Sequence, residues 1–187
     1  MINKLINITI CILIGIALGL VGDHIFNPEI RIIYQQTLPE SVLVEWVYQH
    51  STLISRSTCQ EIVRETLKTK YPLLLLSIIE LESKQFTPGA ISTKGCIGWC
   101  QINYYVHEKE LIQAGIIKEK RDLWDVSPNV KAGDFILKTK FQKSGGDVTR
   151  ALAGYLGEKD GEYVRKILTT FANLSILVTT AGKEKEK

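Results

Sequence analysis

The run from Leu73 to Ile79 constrains the fold most strongly, because its sequence Leu-Leu-Leu-Leu-Ser-Ile-Ile has no polar face. Pro72 precedes the run and suits the first position of a helix, where the N–H that proline lacks would have no partner anyway. A helix that is apolar on all sides is buried among other elements. The sequence therefore predicts a domain built around this helix, and polar residues at its end need a reason to be there.

Composition indicates a globular chain with one large domain. The chain has 187 residues, of which 45% are hydrophobic and 23% are charged, so it can bury a core. Lys and Arg number 23 against 20 for Asp and Glu, which gives a net charge of +3. This charge is small and scattered, so we expect no nucleic-acid partner.

The spacing of apolar residues predicts a mainly α chain in which no segment alternates like a strand for long. A capping box formed by Thr58 and Glu61 is predicted to open one helix, and Trp46 and Trp124 are predicted to be core residues. The other predicted helices cover residues 40–56, from near Asn103 to Gly115, 129–142, 148–157 with an N-cap at Asp147, and 162–174.

The first segment is predicted to be a membrane element. No residue from Leu5 to Val21 is charged, and a helix over this run would be about 26 Å long. Lys4 precedes the run and Asp23 follows it, which favours a cytoplasmic N-terminus and export of the rest. We therefore expect a single-pass protein of the inner membrane with its domain in the periplasm. Ala17-Leu18-Gly19 leaves open a cleaved signal sequence and a periplasmic or secreted product.

Cysteines and histidines give no sign of a metal site. Cys11 lies in the apolar run, and the other cysteines are Cys59, Cys96 and Cys100. The three histidines are too far from them in sequence for the usual ligand spacings. We expect no metal and no cofactor, and we interpret the three cysteines after the run as small buried side chains.

Two acidic residues, Glu80 and Glu82, end the most apolar helix. Burial disfavours the charged form of a carboxyl group and raises its pKa, so such a group can donate a proton near neutral pH. Positions two apart on a helix differ by about 200° in direction, so the two side chains cannot face one cleft. Only one of them can be the acid of a site.

The sequence that begins at Glu82 indicates which acid this is. Residues 82–102 resemble the catalytic segment of lytic transglycosylases of the soluble-transglycosylase (SLT) type, which have a lysozyme-like fold. Their pattern is Glu-Ser, an aromatic residue three positions on, Pro, Ala and Ser, and then Gly-x-x-Gly-Leu-Met-Gln-Ile. The corresponding residues here are Glu82, Ser83, Phe86, Pro88, Ala90, Ser92, Gly95, Gly98, Trp99, Cys100, Gln101 and Ile102. Trp99 and Cys100 replace Leu and Met with other apolar groups.

The resemblance extends over about residues 73–174. It includes Asn129-Val130-Lys131-Ala132-Gly133 and Ala151-Leu152-Ala153-Gly154-Tyr155. The third motif of the family is Ala-x-Tyr-Asn, and here Leu156 stands where Asn is usual. The tyrosine that in the family hydrogen-bonds near the catalytic glutamate is retained as Tyr155.

The resemblance implies cleavage of the β-1,4 bond between N-acetylmuramic acid and N-acetylglucosamine in peptidoglycan, without water, to leave a 1,6-anhydro end. Glu82 would act first as acid and then as base. Ser83 and Gln101 would supply hydrogen bonds in the cleft, and Tyr155 would orient Glu82 or stabilise its charged form. Phe86 and Trp99 could be core residues or could stack on sugar rings.

Two other functions remain open. One is a hydrolytic lysozyme of the same fold, in which Asp122 or Asp125 positions water. The other is a catalytically weak, membrane-anchored module that binds peptidoglycan and supports an envelope-spanning secretion apparatus.

The expected organisation is a membrane anchor or signal sequence at 1–22, a helical membrane-proximal region at 23–72, a lysozyme-like transglycosylase domain at 73–176 and a charged flexible tail at 177–187.

Overall fold

A computed structural model describes residues 38–51, 53–157 and 161–184. The predicted membrane element at 1–22 and the first part of the membrane-proximal region lie outside the described residues. Within the three described ranges, no helix combines the length and the apolar character needed to cross a bilayer.

The described residues form a mainly helical fold, as predicted. Two short strands, β1 (Cys96–Ile97) and β2 (Ile102–Asn103), form an antiparallel hairpin that the sequence did not indicate, and Lys120–Trp124 form a 3-10 helix. The helices are α1 (Glu40–Gln49), α2 (Arg56–Leu67), α3 (Pro72–Glu82), α4 (Tyr104–Gln113), α5 (Val126–Lys143), α6 (Val148–Leu156) and α7 (Gly161–Glu184).

Two compact units divide the described residues. The main unit consists of residues 38–135 and 165–184, and the second unit consists of residues 136–157 and 161–164. Because the boundaries fall inside α5 and α7, each of these helices contributes to both units.

Helix α3 is the buried centre of the main unit. Every residue from Pro72 to Ile79 is buried, as the lack of a polar face predicts. Ser77, the polar residue within the run, is fully buried and donates its hydroxyl to the carbonyl of Leu73 at 2.7 Å. This bond satisfies the hydroxyl inside the helix, so Ser77 needs no partner from another element.

Helices α1 and α2 are joined to each other and to α5. Arg64 forms an ion pair with Glu40 at 2.8 Å between α2 and α1. Ser127 of α5 donates to Glu65 of α2 at 2.9 Å. Burial acts to raise the pKa of Glu65, but hydrogen bonds from Lys68 and Ser127 outweigh it and hold this pKa below its ordinary value. The first two helices are therefore part of the main unit.

In the chain before α3, two helix boundaries differ from the predicted ones. Helix α1 ends at Gln49, before the predicted end at residue 56. The predicted capping box of Thr58 and Glu61 is wrong, because Ser55 is the N-cap of α2 and its hydroxyl accepts from the N–H of Thr58 at 3.2 Å. Thr58 therefore lies inside the first turn.

Later boundaries differ for similar local reasons. Helix α5 begins at Val126, before the predicted start at residue 129, and holds Pro128 in its first turn, where proline is tolerated. Helix α7 continues past the predicted end at residue 174 to Glu184, so residues 177–184 of the predicted tail are helical.

The second unit holds α6. Asp147 is its N-cap, as predicted, and accepts from the N–H of Arg150 at 2.9 Å. Gly157 ends the helix in the left-handed conformation with φ of 66°. Ala151 and Leu152 are fully buried.

The tryptophans and cysteines differ in burial. Trp124 is 41% exposed, so its prediction as a core residue is wrong, while Trp46 is half-buried. Cys59 and Cys100 are buried and Cys96 is half-buried, and none of these three thiols forms a disulfide. Burial raises the pKa of the Cys59 thiol, which keeps it protonated and unreactive.

Candidate active site

Glu82 is the last residue of α3, directly after the buried run. Its side chain is half-buried. The helix thus brings one carboxyl group from the core of the main unit to its surface. This is where an acid needs to be if it is to be both shielded and reachable by a ligand.

The turn after Glu82 has an unusual backbone. The N–H of Gln85 donates to the carbonyl of Glu80 at 2.8 Å and that of Lys84 to Leu81 at 3.3 Å, the two bonds of a Schellman motif. Glycine usually occupies the left-handed position of this motif, but here Lys84, Gln85 and Phe86 have φ of 50°, 62° and 58°. Each such non-glycine residue costs roughly 1–2 kcal/mol, so the turn persists because its surroundings hold it.

Ser83 is one of the groups that hold this turn. It is fully buried, donates to the carbonyl of Ile79 at 2.6 Å and accepts from the N–H of Phe86 at 3.0 Å. Its hydroxyl therefore fixes the backbone on both sides of the turn. Its predicted contact with substrate stays a prediction.

Gln101 ties the loop after the turn to the β-hairpin. Its side-chain amide donates to the carbonyl of Ala90 at 3.0 Å and to that of Gly98 at 2.8 Å. The N–H of Gly98 also donates to Ala90 at 2.9 Å, and Ile91 forms an antiparallel bridge with Ile97. The side-chain amide of Gln101 thus donates to two backbone carbonyls of the protein itself. A hydrogen bond from this residue to substrate stays a prediction.

Asn129 is a central residue of the site whose role the sequence did not reveal. It is fully buried, and its Oδ1 accepts from the N–H of Cys100 at 2.7 Å. Its Nδ2 donates to the carbonyl of Ile97 at 3.0 Å and to that of Leu123 at 2.7 Å. One side chain on α5 therefore joins the hairpin, the 3-10 helix and α5. The sequence signal for Asn129 is its place in the segment 129–133, which is part of the resemblance to the SLT type.

The hairpin also lies very close to α5 at Gly133. A β-carbon added at Gly133 would lie 2.5 Å from Sγ of Cys100 and 3.3 Å from Cδ1 of Leu75. Real β-carbons do not approach other atoms so closely, so glycine is required here. The lack of a side chain at Gly133 thus leaves room for Cys100, which stands where the SLT pattern has Met.

Glu80 faces a different side of α3. Its carboxylate accepts from the hydroxyl of Thr170 on α7 at 3.0 Å. It borders a groove of about 530 Å³ within the main unit, lined by Glu80, Leu81, Lys84, Gln85, Arg165, Lys166, Thr169 and Thr170. Glu82 does not line this groove, in keeping with the predicted difference in direction.

Asp122 and Asp125 are the two acids that would position water in a hydrolytic enzyme. The carboxylate of Asp122 accepts from the N–H of Lys118 at 2.7 Å and from that of Glu119 at 3.2 Å. These backbone hydrogen bonds hold the pKa of Asp122 below its ordinary value. Asp122 therefore caps the 3-10 helix, while Asp125 is exposed at the end of that helix.

The aromatic residues of the motif belong to the core. Phe86 is fully buried and Trp99 is 5% exposed, so neither presents a ring face for a sugar. Trp124, by contrast, is 41% exposed, and a β-carbon added at Gly89, in the loop after the turn, would lie 3.8 Å from its ring.

Tyr155 lies near the end of α6 in the second unit and is half-buried, with Leu156 directly after it. Glu82, Ser83 and Gln101 all lie in the main unit. The predicted interaction of Tyr155 with Glu82 stays a prediction.

Among the residues in the described ranges, no group of three or more His, Cys, Asp or Glu side chains could hold a metal ion.

The family model "Transglycosylase SLT domain" matches residues 62–160, more than half of the 187-residue chain. The matched segment includes Glu82 and its turn, the hairpin, Asn129 and Tyr155. Comparison with curated proteins and with solved structures gave no significant match. Membership of this family implies transglycosylase activity and binding of peptidoglycan. With its mainly helical, lysozyme-like fold and its match over residues 62–160, the chain belongs to the SLT transglycosylase family.

Proposed function

We propose that this protein is a peptidoglycan lytic transglycosylase in which Glu82 is the single acid and base. The reaction would cleave the β-1,4 bond between N-acetylmuramic acid and N-acetylglucosamine and leave a 1,6-anhydromuramic acid end. The observation that carries the proposal is the position of Glu82, which ends the buried helix α3 within the matched segment and directly precedes a strained turn.

The chemistry needs one carboxyl group that changes its protonation state. Glu82 in its acid form donates a proton to the glycosidic oxygen as the bond to the anomeric carbon of the muramic acid breaks. The 6-hydroxyl of the same sugar attacks this carbon, and the Glu82 carboxylate takes the hydroxyl proton. The proton count is balanced, and the carboxyl group is restored without water.

The hydrogen bonds of the Asp122 carboxylate support this reaction over hydrolysis. A hydrolytic glycosidase uses a second carboxyl group about 5–10 Å from the first. Asp122 has its carboxylate engaged by two backbone N–H groups, so it is poorly suited to activate water. Asp125, which is exposed, is the remaining acid for that role.

The other predicted site residues would act around Glu82. The contacts of Ser83 with Ile79 and Phe86 support a role in fixing the direction of α3 at Glu82. Those of Gln101 support a role in shaping the cleft wall, with its Oε1 as the atom that could accept from a sugar. Tyr155 would orient Glu82 or stabilise its charged form.

The experiment that tests the proposal is mass spectrometry of soluble products after the purified chain meets purified peptidoglycan. Glu82→Gln is the test variant and Glu80→Gln the matched control, because Glu80 lies in the last turn of the same helix but contacts Thr170. We expect anhydromuropeptides, about 18 Da lighter than hydrolysis products, from the wild type and from Glu80→Gln but not from Glu82→Gln.

Other results would identify the competing functions. Hydrated reducing ends would mean a lysozyme, and Asp125→Asn would then be the next variant. Retained wall binding with no products from the wild type would support a scaffold that binds peptidoglycan. Equal activity of Glu82→Gln and the wild type would exclude Glu82 as the acid.

We also propose that the uncharged run at residues 5–21 anchors the chain in the inner membrane, with the enzyme in the periplasm near an envelope-spanning apparatus. Carbonate extraction of membranes tests the anchor, since an anchored chain stays with the lipid. A soluble chain whose measured mass corresponds to loss of residues 1–19 would instead show cleavage of a signal sequence.

A further inference from the structure

Helix α1 lies before the matched segment 62–160 but contacts the turn that follows Glu82. The rings of Trp46 on α1 and Phe86 in the turn are edge to face, with centroids 5.9 Å apart and an interplanar angle of 86°. This is a preferred geometry for an aromatic pair, because the positive edge of one ring meets the negative face of the other.

Phe86 is a residue whose conformation needs support. Its φ of 58° is unfavourable for a side chain with a β-carbon, and its ring is fully buried. A backbone of this kind persists only where several contacts fix it together. The bond from Ser83 to the N–H of Phe86 fixes the backbone, and the Trp46 ring packs against the side chain.

Trp46 is itself held in place from α1. The ring of His50 stacks on it with centroids 4.3 Å apart and an interplanar angle of 28°. His50 follows the last turn of α1, and its Nδ1 donates to the carbonyl of Trp46 at 2.8 Å. The Trp46 ring therefore packs against two other rings, that of His50 and that of Phe86.

Helix α1 packs against α2 through buried apolar residues, and two exposed ion pairs also join the helices. Arg56 pairs with Glu45 at 2.9 Å and Arg64 with Glu40 at 2.8 Å. Further along the same segment, Lys70 donates its N–H to Asp134 of α5 at 3.3 Å. A path of direct contacts thus runs from α5 through α2 and α1 to the turn at Glu82.

We propose that Trp46 is a positioning residue for Glu82 and that α1 is part of the catalytic domain. Trp46 acts through Phe86: it keeps the left-handed turn in one conformation and so keeps the carboxyl group of Glu82 aimed at the cleft. This inference rests on the proposed function, and it gives a role to part of the region 23–72, which the family resemblance leaves unexplained.

The test compares Trp46→Ala, Trp46→Phe and Val47→Ala in the full chain. Val47 is fully buried on the same helix but has no ring to pack on Phe86, so its truncation controls for general loss of stability. The readouts are the melting temperature, the rate at which soluble products form at saturating peptidoglycan, and sedimentation with peptidoglycan as a measure of binding.

We expect Trp46→Ala to lower the saturated rate roughly 10- to 100-fold at a temperature at which the variant is folded, because small displacements of a catalytic group cost about this much. Binding to peptidoglycan should be unchanged. Trp46→Phe should recover most of the rate, since it keeps a ring at the contact. Val47→Ala should lower the melting temperature and leave the rate within about twofold.

Two results would overturn the inference. One is a Trp46→Ala rate equal to that of Val47→Ala at matched stability, and the other is a Trp46→Phe rate as low as that of Trp46→Ala. If Trp46→Ala does not fold, a double-mutant cycle of Trp46→Leu and Phe86→Leu replaces it, because each of these changes removes one ring of the pair. Non-additive effects on the rate support the inference and additive effects reject it.

Failure of this inference and failure of the proposed function are distinguishable. An active Glu82→Gln variant would reject the proposed function. An inactive Glu82→Gln variant together with a fully active, folded Trp46→Ala variant would reject only the role of Trp46. Amide hydrogen exchange of residues 83–87 adds a readout without activity, and faster exchange there in Trp46→Ala than in Val47→Ala is the expected result.

Discussion

Gly98 and Asn129 fit together so closely that a β-carbon at residue 98 would lie 2.2 Å from Nδ2 of Asn129. Gly98 opens the hairpin turn with φ of 75°, and Asn129 reaches into this turn from α5. The glycine of the second motif thus has two functions, to permit the turn and to admit the amide.

The first prediction separates these two functions. Gly98→Ala should destabilise the fold by about 2 kcal/mol or more, because it adds a clash with Asn129 to the cost of a left-handed alanine. Gly95→Ala is the matched control, since Gly95 also has φ of 75° but no atom within 4 Å of the added carbon. That control should cost only about 1 kcal/mol in urea unfolding. Equal costs would mean that the close approach is relieved by a small movement.

A second prediction concerns the three hydrogen bonds of Asn129. Asn129→Ala should destabilise the protein by about 3 kcal/mol or more, because it leaves the N–H of Cys100 and the carbonyls of Ile97 and Leu123 buried without their partner. Asn103→Ala is the control: Asn103 caps α4 through Val106, and removal of a cap costs about 1 kcal/mol. Chemical denaturation measures both. A loss for Asn129→Ala no larger than that for Asn103→Ala would contradict the assigned role.

A third prediction follows from the lowered pKa of Asp122. A carboxyl group whose pKa is lower in the folded chain stabilises the fold above its ordinary pKa of 3.8, and this contribution is lost as the pH falls through the folded value. The wild type should therefore be more stable than Asp122→Asn at neutral pH, with a gap that narrows below about pH 4. Thermal unfolding at several pH values measures this gap.

The control for this experiment is Asp125→Asn, which removes the same charge from an exposed position in the same segment. A gap between wild type and Asp122→Asn that stays constant from pH 7 to pH 3 would show that the backbone bonds do not favour the charged form.

The parts of the fold that sequence analysis predicted are those fixed by local chemistry. Pro72 and the uninterrupted apolar run placed α3 at the centre of the core, and Asn103 and Asp147 marked the starts of α4 and α6. Each signal acts within a few residues. Thr58 failed as a cap because Ser55 offers an equivalent hydroxyl three residues earlier, and spacing alone does not choose between them.

The parts of the site that sequence analysis missed depend on contacts between distant segments. The β-hairpin has strands of two residues, too short for an alternating pattern, and it is held by Gln101 and by Asn129 from α5. Trp124 resembles a core residue in sequence, but the 3-10 helix turns it toward solvent. The contact of Trp46 with Phe86 joins residues that no local pattern relates.

The strained turn at residues 84–86 also bears on how this enzyme can be changed. Lys84 and Gln85 are exposed, and a glycine at either position would relieve an unfavourable backbone conformation without loss of a buried contact. Directed evolution for heat resistance alone would therefore favour glycine here. The same substitution would let the end of α3 sample more conformations, so we expect a gain in thermostability at this turn to lower turnover if Glu82 acts as proposed.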